Sequence, residues 1–352
     1  MRSLTRKTLM VLLCVALCFT VLIVSGCKKE ETREFPEVTS EPTIKEPEVP
    51  IVWPFTGLEA PSADAITKRP ISVKIENSST ARPQTGLNSA DVVYETIAEG
   101  GITRFNCIFQ STIPKKLGPV RSARLSDVWI VPQFNTMLFF SGANSQVLGR
   151  IKQAGINNMS QAAAPSLYSR SSAKAAPHNL FLSTSDIDAV ASKKGFELTT
   201  DDRKLNFALK SEEASSSATN ITIPFSYYAR VEWKYDAETD TYKRAHSGTP
   251  HTDAATGKQV RAKNVVVMWA KYTPQSKRDA AGSITYDITL GGEGKAVIFK
   301  NGAKYKGTWK ASAKKLPRFF DKNGKEIKLN PGNTWFEVPP TDIKIKSSGA
   351  TK

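Results

Sequence analysis

Apolar and polar positions in the first half of the chain alternate between a period typical of strands and one typical of helices. The turn Glu99-Gly100-Gly101 separates two strand signals, and the wholly apolar run 137–140 is typical of a strand covered on both faces. The predicted strands are 70–76, 90–95, 102–109, 137–140 and 180–182, and the predicted helices are 145–154 and 187–194. This mixture predicts a layered α/β (α+β) domain over residues 64–210.

The second half of the chain carries almost only strand and turn signals. Asn301-Gly302 and Asn323-Gly324 are dipeptides typical of tight hairpins. A small polar stretch at 211–220 is predicted to link two domains. The predicted strands are 230–235, 241–244, 264–270, 283–290, 295–300, 304–310 and 334–338. Residues 221–352 are therefore predicted to form a smaller, mainly-β C-terminal domain.

The first 63 residues have the pattern of an export signal followed by a tether. A basic start and the apolar run 9–24 lead into Val24-Ser25-Gly26-Cys27, and small residues before such a cysteine are typical of a bacterial lipoprotein cleavage site. We predict that residues 1–26 are a signal peptide and that Cys27 carries lipid, including palmitate, on the outer face of the cell membrane. The alternative is an uncleaved membrane anchor, for which the apolar run is short. Residues 27–63, rich in proline and glutamate, are predicted to be a disordered tether.

Charge narrows the class of partner. The formal net charge is +16, from 49 Lys and Arg against 33 Asp and Glu, whereas the tether has four basic and eight acidic side chains. Outside a membrane the available polyanions are lipid headgroups and phosphate-bearing glycans, so we expect these and not nucleic acid. A solvated lysine-rich surface is the alternative, because the lysines of the C-terminal half are scattered.

Cysteine chemistry adds little. Only Cys107 falls in the predicted domains, and its spacing from Phe105 and Phe109 predicts a buried position on a strand, where a thiol acts as a small apolar group. With one thiol left, an internal disulfide is excluded there.

Three stretches of the first half contain more polar side chains than folding alone requires: 76–86, 95–104 and 118–127. Arg121 and Arg124 lie three apart, so a helix after the Gly118-Pro119 turn would present both to an anion. The candidate ligand-binding residues are Arg82, Glu95, Glu99, Arg104, Arg121, Arg124, His178 and Asn179. Alternatively, the arginines pair internally with Glu76, Glu95, Glu99 and Asp127 to order long loops.

Familiar enzyme signatures are absent from the sequence. It has no Gly-x-Ser-x-Gly elbow, phosphate-binding loop or Ser-x-x-Lys, and His246 and His251 lie five apart without metal-ligand spacing. We therefore predict no metal and no cofactor, and we assign no catalytic residue. His178 is a candidate acid–base group, with a histidine hydrogen-bonded at a strand start as the alternative.

Several segments of the chain resemble a known family, the YerB-like lipoproteins. They are RPISVKIEN, ARPQTGLNSADVVYE, EGGITRF, GPVRSAR and PHNL in the first half, and GTPHTDAATGKQVRAKNVVV, GTW and PGNTWF in the second. The resemblance spans most of residues 69–340. It implies paired domains of unknown function in a membrane-anchored extracytoplasmic protein, with connections to the cell envelope.

Three functional hypotheses follow. The first is a lipid-anchored protein whose arginine-rich cleft binds an anionic glycopolymer or a lipid-linked wall precursor. The second is an enzyme of phosphoryl or glycosyl transfer on a polyprenyl-linked or wall substrate. The order of strand, loop, strand and arginines in the first half is similar to that of envelope glycopolymer transferases of the LytR–CpsA–Psr type, but no residue role is carried over from them. The third is a structural adaptor for cell-wall-synthesis proteins.

Overall fold

The computed structural model describes residues 50–208, 213–278 and 282–349. The predicted signal peptide, Cys27 and the predicted tether up to residue 49 lie outside the described residues, and those predictions stand untested by the structure.

Strands predominate over helices in the described part of the chain. The α-helices are α1 (Ala63–Thr67), α2 (Asp127–Phe134), α3 (Ser145–Gln153) and α4 (Ile187–Lys193), and three-residue 3₁₀ helices lie at Leu87–Ser89, Glu99–Gly101 and Pro165–Leu167. The strands up to residue 217 are β1 (Ile71–Glu76), β2 (Val92–Ile97), β3 (Thr103–Phe109), β4 (Lys116–Leu117), β5 (Met137–Phe139), β6 (Tyr168–Arg170), β7 (Leu180–Ser183) and β8 (Ser216–Ser217). Those that follow are β9 (Asn220–Ser226), β10 (Ala229–Asp236), β11 (Thr241–His246), β12 (Thr249–Pro250), β13 (Arg261–Ala262), β14 (Asn264–Met268), β15 (Lys271–Arg278), β16 (Ile284–Thr289), β17 (Gly292–Lys300), β18 (Ala303–Ser312), β19 (Lys315–Phe320), β20 (Thr334–Val338) and β21 (Lys346–Ser348).

One large sheet runs through both halves of the chain, in the order β19-β18-β17-β14-β20-β2-β3-β1-β5. The halves meet where β2 pairs in parallel with β20, so that Val92 lies opposite Thr334 and Glu95 opposite Glu337. The fold class is confirmed: helices and strands share the first half, and the C-terminal half is mainly β.

The central strands of the large sheet are covered on both of their faces. On one face Val93, Phe105 and Trp335 pack with the smaller sheet β12-β11-β10-β9-β21, and on the other Tyr94 and Phe336 pack in a second apolar cluster. Every residue of β1 and β3 is consequently buried, although their sequences alternate between apolar and polar positions. The polar members need internal partners for this reason, and Lys74, for example, pairs with Asp127 (Nζ–Oδ1, 2.8 Å).

Cys107 is fully buried on β3, as predicted. Burial raises the pKa of its thiol, which keeps it protonated and unreactive.

The predicted helix carrying Arg121 and Arg124 is not present. Val120 bridges Ile75 and the Arg121 amide donates to the Lys74 carbonyl (2.9 Å), so this segment runs extended beside β1. Helix α2 begins only at Asp127. Backbone pairing with the sheet therefore overrides the local helical spacing.

Candidate functional site

A cleft of ≈ 760 Å³ opens where loops from the two halves of the chain meet; we call it the junction cleft. Its walls come from residues 77–83, the Gly100–Ile102 turn, the β9–β10 turn and residues 246–252. The lining side chains that carry charge, a hydroxyl group or an imidazole are those of Ser78, Arg82, Tyr227, Tyr228, His246 and His251. Four separate loops thus supply one polar concavity.

Arg82 supplies the positive charge of the junction cleft. Its Nη1 donates to the Asn77 carbonyl (3.3 Å), and among the described residues it forms no ion pair with a carboxylate. Burial and the nearby charge of Arg244 lower the pKa of Arg82, and Glu95 partly opposes that effect. Arginine stays charged in proteins even so, and Arg82 is therefore a cation on the wall of an open cleft.

Two histidines lie beside Arg82, and both are neutral at pH 7. Burial and the charges of Arg82 and Arg244 lower the pKa of His246 to about 4. Burial and the Arg244 charge also lower the pKa of His251 well below its ordinary value. The two imidazoles are thus polar groups that add no charge beside the Arg82 guanidinium.

The tautomer of His251 follows from its partners. Arginine can only donate, so the Nδ1 of His251 accepts from Arg244 Nη1, and the protonated Nε2 donates to Gln84 Oε1 (2.6 Å). Gln84 Nε2 in turn donates to the Glu76 carbonyl (2.8 Å) and to Asn77 Oδ1 (3.1 Å). The histidine on the cleft wall is thereby held in one orientation.

Arg244 is the buried centre of this network. Its Nη2 donates to Glu95 Oε2 (2.7 Å), and both side chains are fully buried. Its guanidinium carbon lies 5.4 Å from the ring centre of Phe105, 5.9 Å from that of Trp233 and 5.2 Å from that of Trp335. The aromatic faces and Glu95 together compensate a charge that would otherwise be costly to bury.

Glu337 lies next to Glu95 across the β2–β20 pair and accepts from Trp233 Nε1 (2.8 Å). Burial and the Glu95 charge raise the pKa of Glu337 well above its ordinary range, although Arg244 opposes this. Burial beside a second carboxyl group therefore favours the protonated form of Glu337.

Asp253 ties the loop of the second half to the first half. Its carboxylate accepts from the amides of Gly86 (3.0 Å) and Asn88 (2.8 Å), and it is fully buried. These bonds hold residues 246–252 against the loop that carries Arg82.

The eight residues predicted to bind a ligand fall into separate groups. Arg82 lines the junction cleft, and Glu95 lies buried beneath it. Glu99 pairs with Arg104 (Oε2–Nη1, 3.4 Å) and with Arg124. The internal pairing considered as the alternative is thus present for these two arginines.

Arg121 and His178 meet at Glu76. The Nε of Arg121 lies 3.4 Å from Glu76 Oε2, and His178 Nδ1 lies 2.9 Å from Glu76 Oε1. Asn179 accepts from Arg170 Nη1 (2.7 Å) and donates to the Ser171 carbonyl (2.9 Å), which stabilises a loop. The structure therefore does not bring the predicted residues together into one cleft.

Sequence reasoning missed Arg244 and the rim residues Tyr227 and Tyr228, and it considered His246 and His251 only as metal ligands. The close spacing of the two histidines is a weak indication of a polar site, whereas no pattern in the neighbouring sequence marks Arg244 as buried. Over residues 50–208, 213–278 and 282–349, no group of three or more His, Cys, Asp or Glu side chains is placed to hold a metal ion. No helix in that part of the chain is long and apolar enough to cross a membrane.

Comparison with known families accounts for most of the chain. The family described as "Protein of unknown function (DUF3048) N-terminal domain" matches residues 55–197, and its C-terminal counterpart matches residues 221–336. The chain belongs to the DUF3048 family. It is 30% identical over 329 residues to "Putative lipoprotein YerB" of Bacillus subtilis (strain 168), covering 92% of this chain and 94% of that protein.

A crystal structure of the YerB protein from Bacillus subtilis is also similar to this DUF3048 chain. The TM-score is 0.74 at 30% identity, covering 84% of this chain and 99% of that one. The resemblance to YerB-like proteins is thus confirmed: this chain is a homologue of a protein named a lipoprotein and carries both domains of unknown function.

Proposed function

We propose that this DUF3048 protein is anchored to the outer face of the cell membrane through lipid on Cys27, and that its junction cleft binds an anionic ligand of the cell envelope. The observation that carries the proposal is Arg82, a half-buried cation on the wall of a ≈ 760 Å³ cleft without a carboxylate partner among the described residues. A buried or half-buried guanidinium normally has such a partner, so an anionic group of a ligand completes the site.

The remaining lining favours a sugar-like ligand. Tyr227 and Tyr228 are 93% and 65% exposed at the rim, and their rings meet edge to face with centres 5.2 Å apart. Exposed tyrosines combine an apolar face with a hydroxyl group, which suits stacking against a sugar ring. Ser78, Thr249 and His246 add hydrogen-bonding groups for hydroxyls. A saccharide that carries phosphate or carboxylate fits both features.

Titration calorimetry of the full chain with N-acetylglucosamine 1-phosphate tests the proposal. We expect Arg82→Ala to weaken binding by about tenfold to a hundredfold, the usual strength of a hydrogen bond to a charged group. Arg150→Ala, which removes an exposed arginine from α3, is the matched control and should bind as the parent does. Equal losses in both variants, or equally strong binding of neutral N-acetylglucosamine, would contradict a specific role for Arg82.

One arrangement favours the enzymatic alternative. Glu76 is almost fully buried and holds Nδ1 of His178 at 2.9 Å, while the imidazole is partly exposed. A carboxylate that orients a histidine in this way leaves Nε2 as the proton-transferring nitrogen. Turnover of bis(p-nitrophenyl) phosphate that disappears in His178→Ala but persists in Arg82→Ala would support phosphoryl transfer, whereas no turnover by the parent would count against it.

A further inference from the structure

A second concave surface lies on the C-terminal half, where β17 and β18 face residues 341–347. We call it the lysine groove; its rim carries Lys295, Lys304, Lys306 and Lys344. The groove has a volume of ≈ 660 Å³, and Val297 and Phe299 contribute to its apolar floor. None of its residues lines the junction cleft.

Strand register explains why the lysines gather there. In the β17–β18 hairpin Lys306 lies opposite Val297 and Lys304 opposite Phe299, so these side chains share one face. Lys304 and Lys306 are two positions apart on one strand, which places them about 6.5–7 Å apart along it. A row of cations therefore borders an apolar floor.

The opposite wall is held in place by Trp269. Its indole Nε1 donates to the Ile343 carbonyl (2.8 Å), which fixes the segment that carries Lys344. Lys295 lies over the same indole, with Nζ 4.8 Å from the ring centre. The groove is thus a built concavity with a fixed wall.

The positive charge of the lysine groove is not balanced within it. Asp342 is its one acidic lining residue, and within the described ranges Lys295, Lys306 and Lys344 form no ion pair. Lys304 donates to the Ser347 hydroxyl (3.2 Å), which is a neutral partner. Clustered like charges repel one another, so an anionic partner would relieve a local electrostatic penalty.

We propose that the lysine groove binds a linear polyanion whose repeats carry phosphate, independently of the junction cleft. The ammonium group of lysine is a compact point charge that suits phosphate oxygens. Four cations spread along a trough fit a chain better than a single small anion. A membrane surface fits less well, because a flat bilayer would not reach the apolar floor of a groove.

Binding of inorganic polyphosphate to the full chain tests this proposal, measured by fluorescence anisotropy at two salt concentrations. We expect Lys304→Gln with Lys306→Gln to bind about tenfold more weakly, since two surface charge contacts together change Kd by about one decade. The salt dependence of binding should also become less steep. Lys322→Gln with Lys325→Gln removes equal charge from the β19–β20 connection, outside the groove, and should bind within about twofold of the parent.

Thermal melting checks that each variant is folded. If the Lys304 change unfolds the protein, Lys306→Gln with Lys344→Gln provides the same test at two exposed positions. Arg82→Ala should retain polyphosphate binding, so that failure of the junction cleft proposal and failure of this one are distinguishable. Equal weakening by the control pair, no weakening by the groove pair, or anionic phospholipid vesicles binding more tightly than polyphosphate would each overturn the proposal.

Discussion

Replacing Arg244 with methionine tests whether the buried ion pair holds the two halves of the chain together. Arg244 and Glu95 are both fully buried, with Nη2 and Oε2 2.7 Å apart. Arg244→Met keeps much of the apolar stem but leaves the Glu95 carboxylate without its cation. Removing one partner of a buried pair lowers the free energy of unfolding by about 3–5 kcal/mol.

The aromatic contacts contribute to the same loss. Three ring centres lie 5.2–5.9 Å from the guanidinium carbon, and each desolvated contact of this kind is worth about 1–2 kcal/mol. These contributions overlap with the ion pair, and methionine packing recovers part of them, so we keep about 3–5 kcal/mol as the expected total. A domain is usually stable by about 5–15 kcal/mol, and the variant would thus lose a large share of its stability.

Urea unfolding followed by far-UV circular dichroism provides the assay. Glu95→Gln with Arg244→Met should be less destabilised than the sum of the two single variants, by about 1.5–3 kcal/mol, because the double variant buries no unpaired charge. Lys68→Met is the matched control: Lys68 and Asp188 are 2.8 Å apart, but both are about half exposed, and the expected loss is at most about 1 kcal/mol. If Arg244→Met unfolds within about 1 kcal/mol of the parent, or if the single changes are additive, the central role assigned to this pair is wrong.

Three further predictions concern Asp91, Cys107 and a pair of glycines. Burial raises the pKa of Asp91 to about 6, so the folded protein holds this proton more tightly than the unfolded chain does. The free energy of unfolding should therefore fall as pH rises from about 4 to 6, by about 1.4 kcal/mol per unit of pKa shift. The urea midpoint of Asp91→Asn should lack this part of the pH dependence, and an equal pH dependence in parent and variant would refute the prediction. The buried Cys107 thiol should resist iodoacetamide at pH 8 until the chain is unfolded, as judged by mass spectrometry of its peptide; rapid labelling of the native protein would contradict its burial. Gly307→Ala would place a Cβ 2.2 Å from the Phe320 carbonyl oxygen and should lower the melting temperature. Gly149→Ala in α3 meets open space and should stabilise the protein by about 0.5–1 kcal/mol. A higher melting temperature for Gly307→Ala than for Gly149→Ala would show that β18 and β19 separate readily.

The candidate site was only partly predictable. The polar loop at 76–86 predicts an anion-binding role for Arg82, and the structure places this residue on the junction cleft. The spacing of Arg121 and Arg124 predicts that both lie on one face of a helix, but pairing with β1 makes that segment extended. Tyr227 and Tyr228 lie in a short turn that resembles any other exposed turn, and they line the cleft only because the smaller sheet packs where it does.

Local pattern by itself determined many of the strands, though not β9, β15 or β19. It also determined the hairpin at Asn301-Gly302 and the buried place of Cys107, because alternation and turn chemistry act between neighbouring residues. It also carried the resemblance to the family that the comparison established. Tertiary structure alone decided that β2 pairs with β20, so that one sheet spans both halves. Tertiary packing also lays the smaller sheet on one face of β1, β2 and β3, which brings Arg244 of β11 against Glu95. Strands far apart in the chain meet through shared burial and backbone hydrogen bonding, which no local period encodes.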